Sequence, residues 1–152
     1  MSRKLPLTFT EFKTIYSKVP RLCVDLLIKT KNGYLLTLRQ KNGYAGQWHI
    51  PGGTVYFQEK ISDTIKRIAF EEIGTTVIVK KPLGYVEYFS EVKERGFGYT
   101  ISLAFLCKLP KNFKISLDNQ VEKYEFFKVI PKNTILEQKE LIKRCTLVNI
   151  HK

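Results

Sequence analysis

The chain has 152 residues, of which 43% are hydrophobic and 26% charged, enough for one compact domain with a real core. It carries 26 Lys and Arg against 14 Asp and Glu, a formal net charge of +12, which favours polyanionic partners such as nucleotides. A membrane span is excluded as an expectation, since no stretch approaches the roughly 18 uninterrupted apolar residues that one needs.

Thr8 to Lys18 places Phe9, Phe12, Ile15 and Tyr16 at helical spacing, with Thr8 or Thr10 as cap and Pro20 beyond its end. Arg21 to Lys29 reads as a strand, and Asn32-Gly33 as a two-residue hairpin turn into a strand from Tyr34 to Arg39. A polar loop from Gln40 to Gln47 precedes Trp48-His49-Ile50-Pro51-Gly52-Gly53, a short strand entering a glycine turn. Glu59 to Glu72 is expected as a helix with Ile61, Ile65, Ile68 and Ala69 on one face and Gly74 as its stop. Thr75 to Val79, Leu83 to Val92 and Gly98 to Leu109 read as strands, with a turn at Glu94-Arg95-Gly96. A strand from Tyr124 to Ile130 and a helix from Pro131 to Arg144 complete the order. Mixed strands with a central and a C-terminal helix predict an α/β or α+β sandwich, here a single domain over residues 1–152.

Cys23, Cys107 and Cys145 show no CxxC spacing, so they read as buried or inert thiols in a reducing cytoplasm. The first six residues lack the apolar core of a secretory signal. The lysines are scattered rather than gathered into a basic run, so a nucleic acid is not the expected partner.

The segment from Gly53 to Gly74 carries the chemistry. Gly52-Gly53 permits a tight turn and exposes a backbone carbonyl as an oxygen ligand. Glu59 and Arg67 are about two helical turns apart, so both can lie on one side of the helix, and Arg67 stands one turn before Glu71. Carboxylates clustered as Glu59, Glu71 and Glu72 repel one another unless a cation neutralises them. An all-oxygen set of this kind suits Mg²⁺ or Mn²⁺ bridging to phosphate.

Gly53, Glu59, Arg67, Glu71, Glu72 and Gly74 match the Nudix box without a gap, and the chain resembles that hydrolase family. Ile68 is the departure, standing where the family pattern has a glutamate. The same replacement marks the GDP-mannose mannosyl hydrolase branch. That branch is also similar at Val19 to Ile28, Leu38-Arg39, Gln47 to Val55 and Asp118-Asn119-Gln120.

The resemblance implies a Nudix-type α/β/α sandwich with a mixed central sheet. It also implies a Mg²⁺-dependent hydrolase acting on a nucleoside-diphosphate-linked small molecule, a nucleotide sugar of the GDP-mannose kind. Glu72, Glu59 and the Gly52 or Gly53 carbonyl, with Gln120 as a further ligand, are implied to hold the metal. Arg39 is implied to clamp the diphosphate, Arg67 to orient Glu71 or reach phosphate, and Asp25 to sit at the sugar side. Glu71 or Glu59 would help to activate water, and a homodimer through the N-terminal segment would follow. Hydrolysis of ADP-ribose or of nucleoside triphosphates, or nucleotide or RNA binding without efficient catalysis, are the alternatives. A second departure is Val121, where the branch has a histidine acting as general base. Of the two histidines, His49 beside the glycine turn reads as structural, and His151 lies near the end of the chain.

Overall fold

A computed structural model describes residues 6–41, 43–117 and 121–148. Helix α1 (Phe9–Tyr16) begins at a reciprocal cap. The Glu11 amide donates to Thr8 Oγ1 at 3.2 Å, and the Thr8 amide donates to Glu11 Oε2 at 2.7 Å. None of its residues is buried. Aromatic contacts hold it instead, Phe9 and Phe12 both lying edge-on to Phe97.

Strand β1 (Arg21–Thr30) is the spine of the sheet. It pairs antiparallel with β2 (Gly33–Arg39) and β4 (Gly52–Thr54), and parallel with β6 (Thr100–Lys108). The two-residue strand β3 (Trp48–His49) and β7 (Val121–Phe127) flank β2, and β5 (Ile78–Tyr88) pairs with β6 at the far edge. The sheet is therefore mixed.

Helix α2 (Ile61–Ile73) turns Ile65, Ile68, Ala69 and Ile73 onto Val24, Leu26, Ile28 and Leu35 of one sheet face. Helix α4 (Leu136–Val148) turns Leu141 and Ile142 onto the opposite face, against Leu27, Leu36, Trp48 and Val86. Helix, sheet and helix form three layers, the α/β/α sandwich with a mixed sheet that the resemblance implies. Gly74 ends α2 in the left-handed conformation at φ 65°, tight against Ser116, where a Cβ would collide with the backbone.

Several boundaries differ from the sequence reading, among them the start of α2 at Ile61, which leaves Glu59 in the turn before the helix. The two strands expected over 75–92 are one strand, β5, which absorbs its irregular middle as register shifts around Lys80 and Leu83. Pro82 is tolerated there because β5 is an edge strand with no further neighbour to receive an N–H. The expected end of that strand and the following turn form a short helix, α3 (Glu91–Arg95), stopped by Gly96 at φ 83°. Strand β7 starts and ends earlier than expected. Residues 131–135 form a turn rather than the first turn of α4, because they are stitched to β3: the Trp48 amide donates to the Asn133 carbonyl and the Ile135 amide to the Trp48 carbonyl. Cys23 and Cys107 are buried and Cys145 is half-buried. Among the described residues no helix is long and apolar enough to cross a membrane.

Candidate active site

The strand β4 glycines, the inner end of β1, the exit of β2 and the last turn of α2 converge on a cleft of about 470 Å³. Asp25, Arg39, Gly52, Gly53 and Glu72 all line it. Gly52 stands opposite Asp25 in the β1–β4 ladder, and an added Cβ there would run into the Asp25 carboxylate and the Val24 carbonyl. Glycine is thus required at that position by close approach.

Arg67, Glu59 and Glu71 form a separate knot beside the cleft. The Arg67 guanidinium donates to both oxygens of Glu59 at 2.7 Å each, to Glu71 Oε2 at 2.9 Å and to the Thr54 carbonyl at 2.7 Å. Its face lies 3.7 Å from the Tyr56 ring centroid. Glu59 Oε2 also accepts from Thr64 Oγ1 at 2.8 Å and from the Tyr56 amide at 3.1 Å. These bonds, those from Arg67 foremost, hold the Glu59 carboxyl down at about 2. Both Glu59 oxygens are committed to fixing the glycine turn onto α2. Arg67 orients Glu71, and none of the three is among the residues that wall the cleft.

Glu72 is buried at 9% exposure and does wall it. The guanidinium of Arg39 is half-buried in the same wall, and among the described residues no side chain bonds or pairs with it. Burial disfavours its charge, and the Glu72 carboxylate opposes that effect. A guanidinium left with its donors unspent at the edge of a cleft is a receptor for a doubly bonded anion.

Asp25 is 5% exposed and faces the α4 side with Leu27. Burial raises its carboxyl to about 6, while the hydroxyl of Tyr88, donating to Asp25 Oδ2 at 2.5 Å, holds it down. His49 has both ring nitrogens engaged: Nδ1 lies 2.9 Å from the Ile50 carbonyl and Nε2 3.0 Å from Thr37 Oγ1. Burial, with Arg39 nearby, pushes it down to about 3. The ring also lines the cleft. Val121 is buried in the cleft wall and brings no proton donor there. Gln120 and His151 lie outside the described residues.

Sequence reasoning missed several cleft residues. Arg21, Tyr44, Glu91, Arg95 and Gln138 all line it. Glu91, only 2% exposed, ties Arg21 at 3.1 Å and Arg95 at 3.2 Å. Tyr44 donates to or accepts from Ser90 Oγ at 2.8 Å, from a backbone at φ 56°. Gln138 carried one signal, a lone amide on the apolar stripe formed by Ile135, Leu141 and Ile142.

The NUDIX domain model matches residues 19–144. The chain belongs to the Nudix family. It is 32% identical over 120 residues to the low-salt glycan biosynthesis protein Agl8 of Haloferax volcanii, covering 77% of this chain and 76% of that one. A NUDIX hydrolase of Nitrosomonas europaea superposes with a TM-score of 0.72 at 18% identity, over 88% of this chain and 74% of that chain. A MutT NUDIX hydrolase of Burkholderia pseudomallei gives 0.70 at 18% identity, over 83% and 98%. At those identities the two structures establish the fold alone.

Nudix hydrolases generally use divalent metal ions. Among the described residues of this Nudix chain, no group of three His, Cys, Asp or Glu is placed to hold a metal. Ile68, at the position where the family pattern has a glutamate, is 1% exposed and packs with Val24 and Leu26, its side chain 3.4 Å from where a Gly53 Cβ would stand. Of the metal-site residues that the motif proposes, Glu72 and the Gly52 and Gly53 backbone line the cleft. Such a set fits one hard cation that completes its shell with water and substrate phosphate oxygens.

Proposed function

We propose that this Nudix hydrolase cleaves a nucleoside-diphosphate-linked small molecule, a nucleotide sugar of the GDP-mannose kind, with a single divalent ion, magnesium. Glu72 and the Gly52 or Gly53 carbonyl would hold the ion, with Gln120 as a further ligand. Bound there, the ion would neutralise diphosphate charge and acidify a water.

The observation that carries the reading is the unspent guanidinium of Arg39 facing Glu72 across one cleft. Arg39 would take two diphosphate oxygens through paired donors. Asp25, an acceptor at the inner wall, would take a hydrogen bond from a hydroxyl beyond the diphosphate. The Arg67–Glu59–Glu71 knot would keep the glycine turn and α2 in register beneath the ion, with Arg67 orienting Glu71 beside the cleft. The relative from Haloferax volcanii, named for glycan biosynthesis, supports a sugar nucleotide over a triphosphate. Val121 and the locked ring of His49 remove the base that attack at sugar carbon would use, which favours attack at phosphorus.

Incubation with GDP-mannose, other sugar nucleotides, ADP-ribose and nucleoside triphosphates, with and without magnesium, tests this by product identity. The expected products are a nucleoside monophosphate and a sugar phosphate. Turnover should fall at least ~100-fold in Glu72→Gln and in Arg39→Ala, the scale of lost electrostatic stabilisation. Free sugar with GDP would overturn attack at phosphorus, and turnover of triphosphates or ADP-ribose alone would overturn the sugar nucleotide.

A further inference from the structure

A chain of hydrogen bonds runs from the backbone of β3's exit to the floor of the cleft, crossing three separate parts of the sequence. The Ile50 amide donates to Gln138 Oε1 at 2.7 Å. Gln138 Nε2 donates to the Tyr88 hydroxyl at 2.8 Å, and that hydroxyl donates to Asp25 Oδ2 at 2.5 Å. All three side chains are buried, Gln138 at 4%, Tyr88 at 6% and Asp25 at 5% exposure, and all three line the cleft.

The polarity of this chain is fixed at its origin. A backbone N–H can only donate, so the oxygen of the Gln138 amide must face Ile50 and its nitrogen must face Tyr88. An amide nitrogen can only donate, so the tyrosine oxygen accepts from it and has its single proton left for Asp25. Asp25 Oδ2 thereby accepts from a donor whose direction Gln138 fixes. The Oδ1 atom lies against Gly52, the residue whose missing side chain opens this corner. In its ionised form a carboxylate held this way presents Oδ1 to the cleft as an acceptor.

We infer that Tyr88 and Gln138 are positioning residues that hold Asp25 as a fixed hydrogen-bond acceptor for a substrate hydroxyl, so that α4 sets selectivity for the sugar moiety. The inference rests on the sugar-nucleotide reading above. A site built to receive a hydroxyl discriminates strongly against ligands without one, since its own buried polar group is then left unpaired.

Gln138→Glu is a near-isosteric test. A carboxylate at 138 still accepts from Ile50, but it also accepts from Tyr88, so the tyrosine proton turns away from Asp25. The measurements are kcat/KM on GDP-mannose and the inhibition constant of GDP, which has the diphosphate but no sugar. Loss of one hydrogen bond to a charged group predicts a fall of about ten- to a hundred-fold in kcat/KM, with GDP inhibition unchanged within about two-fold. Tyr88→Phe, which removes the hydroxyl and keeps the ring, should show the same split and serves if Gln138→Glu does not fold. A folded variant with unchanged kcat/KM overturns the inference, as does a parallel loss of GDP affinity, which would mean a distorted site. Wild-type protein that turns over no sugar nucleotide fails the proposed function first, before any variant is compared, and takes this inference with it.

Discussion

Arg67→Lys keeps the positive charge and removes the fork, so it isolates what the guanidinium contributes beside the cleft. In the native protein that group makes two bonds to Glu59, one to Glu71, one to the Thr54 carbonyl and a stack on Tyr56. A lysine ammonium is a point donor and cannot span carboxylates on two sides and a carbonyl between them. Charge-assisted bonds contribute about 1.5–3 kcal/mol each when buried. The side chain is 18% exposed, so solvent screening reduces the sum, and the bonds to one carboxylate are not additive. The expected losses are about 2 kcal/mol for Arg67→Lys and about 3 kcal/mol for Arg67→Ala. For a chain of this size each kcal/mol shifts Tm by about 2–4 °C, so Arg67→Ala should melt roughly 6–12 °C lower. Urea unfolding in EDTA should show a lowered midpoint with an unchanged slope for both variants. An Arg67→Lys protein within about 0.5 kcal/mol of wild type would refute the claim that the forked geometry, rather than the charge, holds α2 to the glycine turn.

Acid should expose the same knot. The folded pKa of Glu59 lies at about 2, below its ordinary 4.5, so its stabilisation is complete above the unfolded value and is lost as pH falls toward the folded one. Urea midpoints followed through that interval should therefore decline less steeply in Glu59→Gln, and equal slopes in both proteins would contradict the assignment. Ile68→Ala should cost about 2–5 kcal/mol, the range for emptying a packed aliphatic site. Ile68→Glu should cost more in EDTA, because it buries a carboxylate among aliphatic side chains. A well-folded Ile68→Glu within about 1 kcal/mol of wild type would show that this position is not part of the core.

The layers were legible because their signals are local. Ile65, Ile68, Ala69 and Ile73 repeat at helical spacing, and Asn32-Gly33 announces its hairpin. The continuity of β5 was not legible, since Lys80-Lys81-Pro82 resembles a turn and only pairing with β6 reveals two register shifts inside one strand. Helix α3 was hidden for a similar reason: five residues carry too little periodicity, and the burial of Glu91 depends on Arg21, 70 positions earlier. In the site, Gly53 and Glu72 were found by motif and Asp25 and Arg39 through the resemblance, and all four line one cleft. Glu59 was expected as a metal ligand, but its two oxygens are occupied by Arg67 and it lies outside the cleft wall. Tyr88 and Gln138 have meaning only through a bond that joins β5 to α4, and no local pattern encodes it.

That bond also orders events during synthesis. Asp25 leaves the ribosome early, Tyr88 later and Gln138 near the last helix described. Until α4 emerges and docks, Asp25 therefore lacks the support that Gln138 gives it through Tyr88.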